Sequence, residues 1–382
     1  MTGATFDAAL RCGALPAGPR GTIADVPGVT VGHCTLDDGP VQTGVTVVKP
    51  HPGDVYRSKV PAGAAVINGF GKSVGLVQVD ELGVLDTPIA LTNTFAVGAI
   101  GEAQIRAAIA ANPSIGRDWP TVNPLVFECN DGYLNDLHAF AATADHYAAA
   151  LRDASRDVVR GAVGAGRGMS CFDLKGGIGS ASRVAVAAGR PYTVGTLVLA
   201  NFGRLPMLTL GGVPVGRMVA GRDAASAAAA ALAASTASTA STASTASAVV
   251  APPPEQGSII MLLATDAPLD ARQLARLARR AAAGLARTGS VYGHGSGDIA
   301  LAFSTAYTIA HDARTVALSA LLADATLDPL FQAAADGVEQ AIVDALMSAV
   351  TVAGRDGHVR RALRDAIPDL DRVLAEGSPS RP

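Results

Sequence analysis

The sequence predicts a mixed α/β protein, built as one sheet or a pair of sheets with helices packed outside. Three observations carry this. Short runs of β-branched residues, bounded by glycine turns, fill the first half of the chain. The segment from Asp270 to Arg287 places Leu274, Leu277, Ala281 and Leu285 on one stripe, with arginines opposite, as an amphipathic helix does. Strands and helices alternate irregularly, with no internal repeat and no regular βαβ series.

The elements follow in order. Thr22 to Val48 is turn-rich and β-like. Ala64 to Gly69 and Gly75 to Val79 are predicted as short strands joined by glycine turns. A strand run begins at Ile89, becomes helical near Phe95 and ends at Ile109. Pro124 to Glu128 is a short apolar run ending on a carboxylate. Alanine content and apolar spacing predict a helix over Leu134 to Arg152. Gly161 to Gly179 is glycine-rich. Val184 to Ala188 and Thr193 to Ala200 read as the strands of a hairpin, the second running into Asn201. Ser258 to Ala264 is a continuous apolar run of strand length, which suits a central strand covered on both faces. Gly289 to Gly297 is a glycine turn before a strand at Ile299 to Phe303, and Leu330 to Val352 is a late apolar helix.

Composition narrows the function classes. The chain has 382 residues and a formal net charge of -3, with its basic residues scattered. This excludes the basic stripe of a nucleic-acid binder and the polybasic patch of a membrane-surface protein. No apolar stretch has the length of a membrane span, and Met1 to Gly13 lacks the apolar segment of a secretory signal. A cytoplasmic protein is expected. Cys12, Cys34, Cys129 and Cys171 form no metal-type cluster and read as reduced, mostly buried thiols. Asp223 to Pro254, rich in alanine and Ser-Thr-Ala triplets, reads as a solvated linker that carries no chemistry itself.

Most motif candidates fail on spacing. Gly164, Gly166 and Gly168 lack the leading strand and the acidic residue of a dinucleotide site. Gly71-Lys72-Ser73 mimics the end of a phosphate loop, but Val66 stands where the earlier glycine belongs. His294 takes the first glycine position of a nucleophile elbow around Ser296. The histidines are isolated. What remains is Gly257-Ser258, between the linker and the buried strand. Alone, such a pair is usually a turn. Its chemistry is nevertheless specific. Glycine tolerates distorted backbone, so a neighbouring hydroxyl can approach its carbonyl. Cleavage there frees the α-amine of Ser258, and an unperturbed α-amine titrates at about 7.7–8.0, suited to act as a general base.

The segments IADVPGVTVGHCT, VINGFGKSVGLVQVDELGVLDTPIALTNTFAVG, ECNDGYLND, CFDLKGGIGSASR, LVLANFG, GGVPVGR, GSIIMLLATDAPL and GHGSGDIALAFSTA together resemble the self-processing L-aminopeptidase/D-esterase/D-amidase (DmpA-type) family, which includes β-peptidyl aminopeptidases. The resemblance runs from about Thr22 to Ala306, apart from the linker. It implies a four-layer α/β/β/α sandwich, like the N-terminal-nucleophile hydrolases but with different connectivity. It implies cleavage into residues 1–257, with the linker at 223–256, and residues 258–382. These fragments stay together as one globular domain, in a homo-oligomer that often holds four such pairs.

Site residues follow from the same resemblance. Ser258 matches the nucleophile and Gly257 the residue before the cut. Asn201 matches the oxyanion-stabilising asparagine. Ser296 and Asp298 match a Ser-x-Glu/Asp pair, and i and i+2 in an extended segment share a face, so both could reach the new α-amine. Glu128 matches the carboxylate that holds the substrate's free amine. Asn130 aligns where some relatives carry a helper tyrosine, and Tyr133 is three residues further on. The implied activity is hydrolysis of the first residue from short peptides, amides or esters through an acyl-enzyme, with no metal or organic cofactor. A self-cleaving acyltransferase of the ornithine acetyltransferase kind and an amide-oligomer hydrolase are the alternatives. Both use threonine as nucleophile, so a serine here favours the peptidase.

Overall fold

The computed structural model describes residues 10–222, 256–318 and 320–377. The predicted linker from Asp223 to Pro254 lies outside them. In chain order the strands are β1 (Thr30–Asp38), β2 (Val41–Lys49), β3 (Ser58–Gly69), β4 (Val84–Leu85), β5 (Ile89–Asn93), β6 (Val126–Cys129), β7 (Ser170–Cys171), β8 (Leu174–Lys175), β9 (Gly177–Ala187), β10 (Arg190–Asn201), β11 (Gln256–Thr265), β12 (Gly295–Ser304), β13 (Ile309–Ala310), β14 (Val352–Ala353) and β15 (Val359–Arg360). The helices that matter here are α1 (Leu76–Leu82), α2 (Val97–Ala111), α3 (Ala144–Asp153), α4 (Ala271–Arg279), α5 (Ala281–Arg287) and α6 (Asp328–Met347).

Two sheets stack face to face. The smaller has the order β1-β2-β5-β6, and the larger β13-β3-β12-β11-β10-β9, with β4 paired to β3. Apolar side chains between the sheets join them: Val31, Val48, Leu91 and Phe127 meet Leu199, Ile260, Leu262 and Leu301. The outer face of the small sheet packs Val45, Val47 and Val126 against Ile100 of α2 and Tyr147 of α3. The outer face of the large sheet packs Ile259, Met261 and Leu263 against Leu274, Leu277, Leu285, Val338 and Ile342 of α4, α5 and α6. The layers are therefore α/β/β/α, as the resemblance implied.

Strand β11 is central and alternates between the two cores. Ile260 and Leu262 face the small sheet, while Ile259, Met261 and Leu263 face the helices. Full burial of each such side chain is worth roughly 1.5–3 kcal/mol. That covering on both faces explains why the run from Ser258 to Ala264 shows no polar alternation. β11 pairs antiparallel with β10 and parallel with β12, and α4 and α5 supply the crossover between β11 and β12.

Three sequence expectations need correction. Gly75 to Val79 is not a strand. It begins α1, which Gly75 at φ +96° and Gly83 at φ +65° bracket in left-handed backbone. Its valines suggested a strand, yet Val77 is 86% exposed on the helix surface. The helix predicted over Leu134 to Arg152 exists only as α3. Before it, Asp136 accepts from the backbone of His138 to cap a 3-10 turn, and Phe140 at φ +44° ends that turn. The helix from Asp270 to Arg287 is broken at Arg280 into α4 and α5, with its predicted stripe still buried. Among the described residues, no helix is long and apolar enough to cross a membrane.

Candidate active site

The ends of three adjacent strands bring the predicted groups together. In the β10–β11 ladder Asn201 pairs with Ser258, and in the β11–β12 ladder Ser258 pairs with Gly297. Ser258 Oγ donates to the carbonyl of Gly257 at 2.7 Å and accepts from the backbone N–H of Gly297 at 3.3 Å. Gly257 has φ +153°, and a Cβ there would stand 2.3 Å from the Asn201 carbonyl oxygen and 2.7 Å from Phe202 Cα. Glycine at this position is therefore a requirement of both space and backbone conformation.

Ser296 and Asp298 flank Gly297, so Ser258 is registered between them. Both are fully buried, and Ser296 Oγ donates to Asp298 Oδ1 at 2.6 Å. Strand alternation turns this pair to the face opposite Gly297 and Ser258 Oγ. Asn68 Nδ2 holds the turn before the pair by donating to the carbonyls of Gly293, at 3.0 Å, and of Ser296.

Asn201 is buried and doubly held. Its Oδ1 accepts from the Ser170 backbone N–H at 2.8 Å, and its Nδ2 donates to the Asn130 carbonyl at 3.0 Å. A backbone donor on one side and a carbonyl on the other fix which way the amide points. Glu128, at 3% exposure on β6, accepts from the Lys72 backbone N–H through Oε1 at 2.8 Å. The loop after β3 that carries Phe70 and Lys72 also comes close to Ser258, because a Cβ on Gly297 would lie 2.6 Å from the Phe70 carbonyl oxygen and 3.1 Å from Ser258 Oγ.

The side chains of the other two predicted residues, Asn130 and Tyr133, are engaged in contacts of their own. The Asn130 side chain accepts from the Gly132 N–H at 2.9 Å, so it caps its own turn. The Tyr133 ring stacks on His358 at 4.6 Å between centroids, and the Arg360 guanidinium lies 3.8 Å from the ring centroid. Sequence reasoning did not find Asn68, Lys72, Ser170 or Gly297 as supports of the site. Three of them act through backbone N–H groups, which leave no mark on residue type.

Electrostatics separate active from inert groups. Burial, and after it the charges of Glu128 and Asp298, push the Cys129 thiol well above its ordinary range. A thiol so raised stays protonated and does not compete as a nucleophile. Among the described residues the four cysteines form no disulfide, and Cys12, Cys129 and Cys171 are buried. Burial raises Asp131 to about 7 and lowers Lys175 to about 7. Among the described residues, no group of three or more His, Cys, Asp or Glu side chains could hold a metal ion.

The model of Peptidase family S58 matches residues 21–360. The chain belongs to peptidase family S58. A beta-peptidyl aminopeptidase, BapA, of Sphingosinicella microcystinivorans is 38% identical over 362 residues, covering 91% of this chain and 87% of the relative. The solved structure of the PH0078 protein from Pyrococcus horikoshii OT3 superposes with a TM-score of 0.84 at 45% identity, covering 96% and 97% of the two chains. The L-aminopeptidase D-Ala-esterase/amidase of Ochrobactrum anthropi, a variant of the Ntn hydrolase fold, superposes with a TM-score of 0.81 at 32% identity, covering 96% and 97%. This S58 chain is thus a serine-type hydrolase, an N-terminal-nucleophile aminopeptidase, on the Ntn-like fold described above.

Proposed function

We propose that the S58 chain cuts itself between Gly257 and Ser258, and that Ser258 then removes the amino-terminal residue from short peptides, amides or esters. The observation that carries this is the registration of Ser258 against Asn201 on one side and Gly297, between Ser296 and Asp298, on the other. In the uncut chain Ser258 Oγ already touches the Gly257 carbonyl group. Attack on that carbonyl carbon forms an ester and releases the Ser258 amine. Water then opens the ester, leaving Gly257 with a carboxylate.

The new α-amine takes the proton from Ser258 Oγ as the hydroxyl attacks a substrate carbonyl. Asp298 and Ser296 hold and orient that amine, while the second N–H of Asn201 Nδ2 stabilises the oxyanion. Collapse expels the leaving amine or alcohol with the transferred proton. Water then releases the acyl group. Glu128 pairs with the substrate's own free amine, which makes the enzyme an aminopeptidase and not an endopeptidase. Names of similar proteins mark β-aminoacyl, L-aminoacyl and D-alanyl groups as the acyl parts to test. The reading includes two fragments that remain associated, assembly into a homo-oligomer such as a tetramer of pairs, a cytoplasmic location and no cofactor.

Intact-mass measurement of the purified protein tests the cut, with fragments ending at Gly257 and beginning at Ser258 expected. Ser258→Ala should give one uncut chain that does not hydrolyse aminoacyl-p-nitroanilides. Full activity from an uncut chain would overturn the proposal.

A further inference from the structure

Lys175 is a fully buried lysine that the chemistry above does not use. Its Nζ donates to three backbone carbonyls: Met169 at 2.8 Å, Gly176 at 2.8 Å and Gly166 at 2.9 Å. Three acceptors on one nitrogen need three N–H groups, and among side chains only the lysine ammonium has them on a single atom. All three carbonyls belong to the glycine-rich segment from Gly161 to Gly179, which contains the β7–β8 ribbon.

That ribbon lies against the end of β10, around Asn201. Lys175 is registered directly opposite Ser170. The Ser170 N–H, in the same peptide group as the clamped Met169 carbonyl, is the group that holds Asn201 Oδ1. The Phe172 N–H donates to the Phe202 carbonyl at 2.7 Å, and a Cβ on Gly176 would lie 2.4 Å from the Ala200 carbonyl. The ribbon thus touches the residues on both sides of Asn201 as well as Asn201 itself. The other support of Asn201, the Asn130 carbonyl, precedes the buried Asp131, whose side chain Asn135 holds at 3.0 Å.

We infer that Lys175 is a positioning residue for the oxyanion donor. It clamps the Met169–Ser170 peptide so that the Ser170 N–H aims Asn201, leaving a second Nδ2 hydrogen for the tetrahedral intermediate. Removing the clamp releases the peptide and lets the amide turn. This inference rests on the reading of Asn201 given above.

The test is a double-mutant cycle between Lys175→Met and Asn201→Ala, with kcat normalised to the cleaved fraction on a denaturing gel. Lys175→Met is expected to lower kcat by roughly 10- to 100-fold, less than loss of the donor itself, with KM within about twofold of the parent. In the Asn201→Ala background the same change should have little further effect. Lys175→Gln, which keeps amide N–H donors for the cage, is run beside it as the milder variant and should fall between parent and Lys175→Met. Equal losses in both backgrounds, or a folded variant with unchanged kcat, would overturn the inference. An Asn201→Ala enzyme with full kcat would instead overturn the reading of Asn201.

Discussion

Asn201 and Ser258 are the last registered pair of the β10–β11 ladder, and Gly257 lies just past that pair, against the Asn201 backbone. The asparagine is therefore fixed to Ser258 through the sheet and not through a flexible loop. A site built on ladder geometry keeps its distances when the neighbouring peptide is broken, because β10 and β12 still hold β11 on both sides.

Gly257→Ala should block self-cleavage. Its methyl group would meet the Asn201 carbonyl oxygen at 2.3 Å, in a backbone conformation that alanine resists. The gel should show the uncut chain, and a melting curve should show a lower Tm. Normal fragments at the normal rate would mean that the strand end relaxes freely.

Asp298→Asn keeps an acceptor for Ser296 Oγ but removes the charge proposed to orient the new amine. A fall in kcat of about 100-fold or more is expected, by analogy with loss of the carboxylate that orients a catalytic base. A pH–rate profile should also shift, because the α-amine loses its anionic neighbour and its pKa drops. An unaltered profile would assign the base elsewhere.

Glu128→Gln keeps the contact with the Lys72 N–H while removing the negative charge. Loss of kcat/KM by about 10- to 100-fold is expected for substrates with a free amine, the scale of one charge-assisted contact. Steady-state kinetics on an aminoacyl-p-nitroanilide would reveal it. Unchanged kcat/KM would free Glu128 from amine binding.

His33 supplies a pH dependence of stability. Burial lowers its pKa to about 4, with the Asp153 charge opposing, and its Nδ1 sits 3.0 Å from Thr46 Oγ1. Between pH 4 and the ordinary value of 6.5 the unfolded chain binds a proton that the folded chain refuses. Stability from this group is therefore fully present above the unfolded pKa and is lost as pH falls toward the folded one. His33→Gln should narrow the gap between Tm measured at pH 4.5 and at pH 7, both about the limits of that window. An identical gap in the two proteins would exclude His33 as its source.

Strands buried on both faces were the most legible part of the sequence. β10, β11 and β12 announce themselves as apolar runs, and their order places Asn201, Ser258, Ser296 and Asp298 at one end. Short elements were not legible. The valines of α1 signal a strand locally, but two left-handed glycines close a helix of two turns around them. The turn from Asp131 to Phe140 interrupted an alanine-rich pattern because side-chain capping outweighs periodicity there. Lys175 left a faint trace, a lone charge in an apolar, glycine-rich stretch. Only the folded ribbon shows that three nearby backbone carbonyls take up its N–H groups.

The order of the large sheet makes the proposed cut hard to undo. β11, β12 and β13 would belong to the fragment beginning at Ser258, and β3, β9 and β10 to the other. The two central strands of one fragment are thus slotted between strands of its partner. A large fragment made alone would present two bare strand edges, at β3 and β10, separated by an empty slot two strands wide, and such edges invite aggregation. The mature enzyme would then be a product of history. It would fold as one chain and be divided afterwards, and halves expressed apart should have no easy route back to the same sheet.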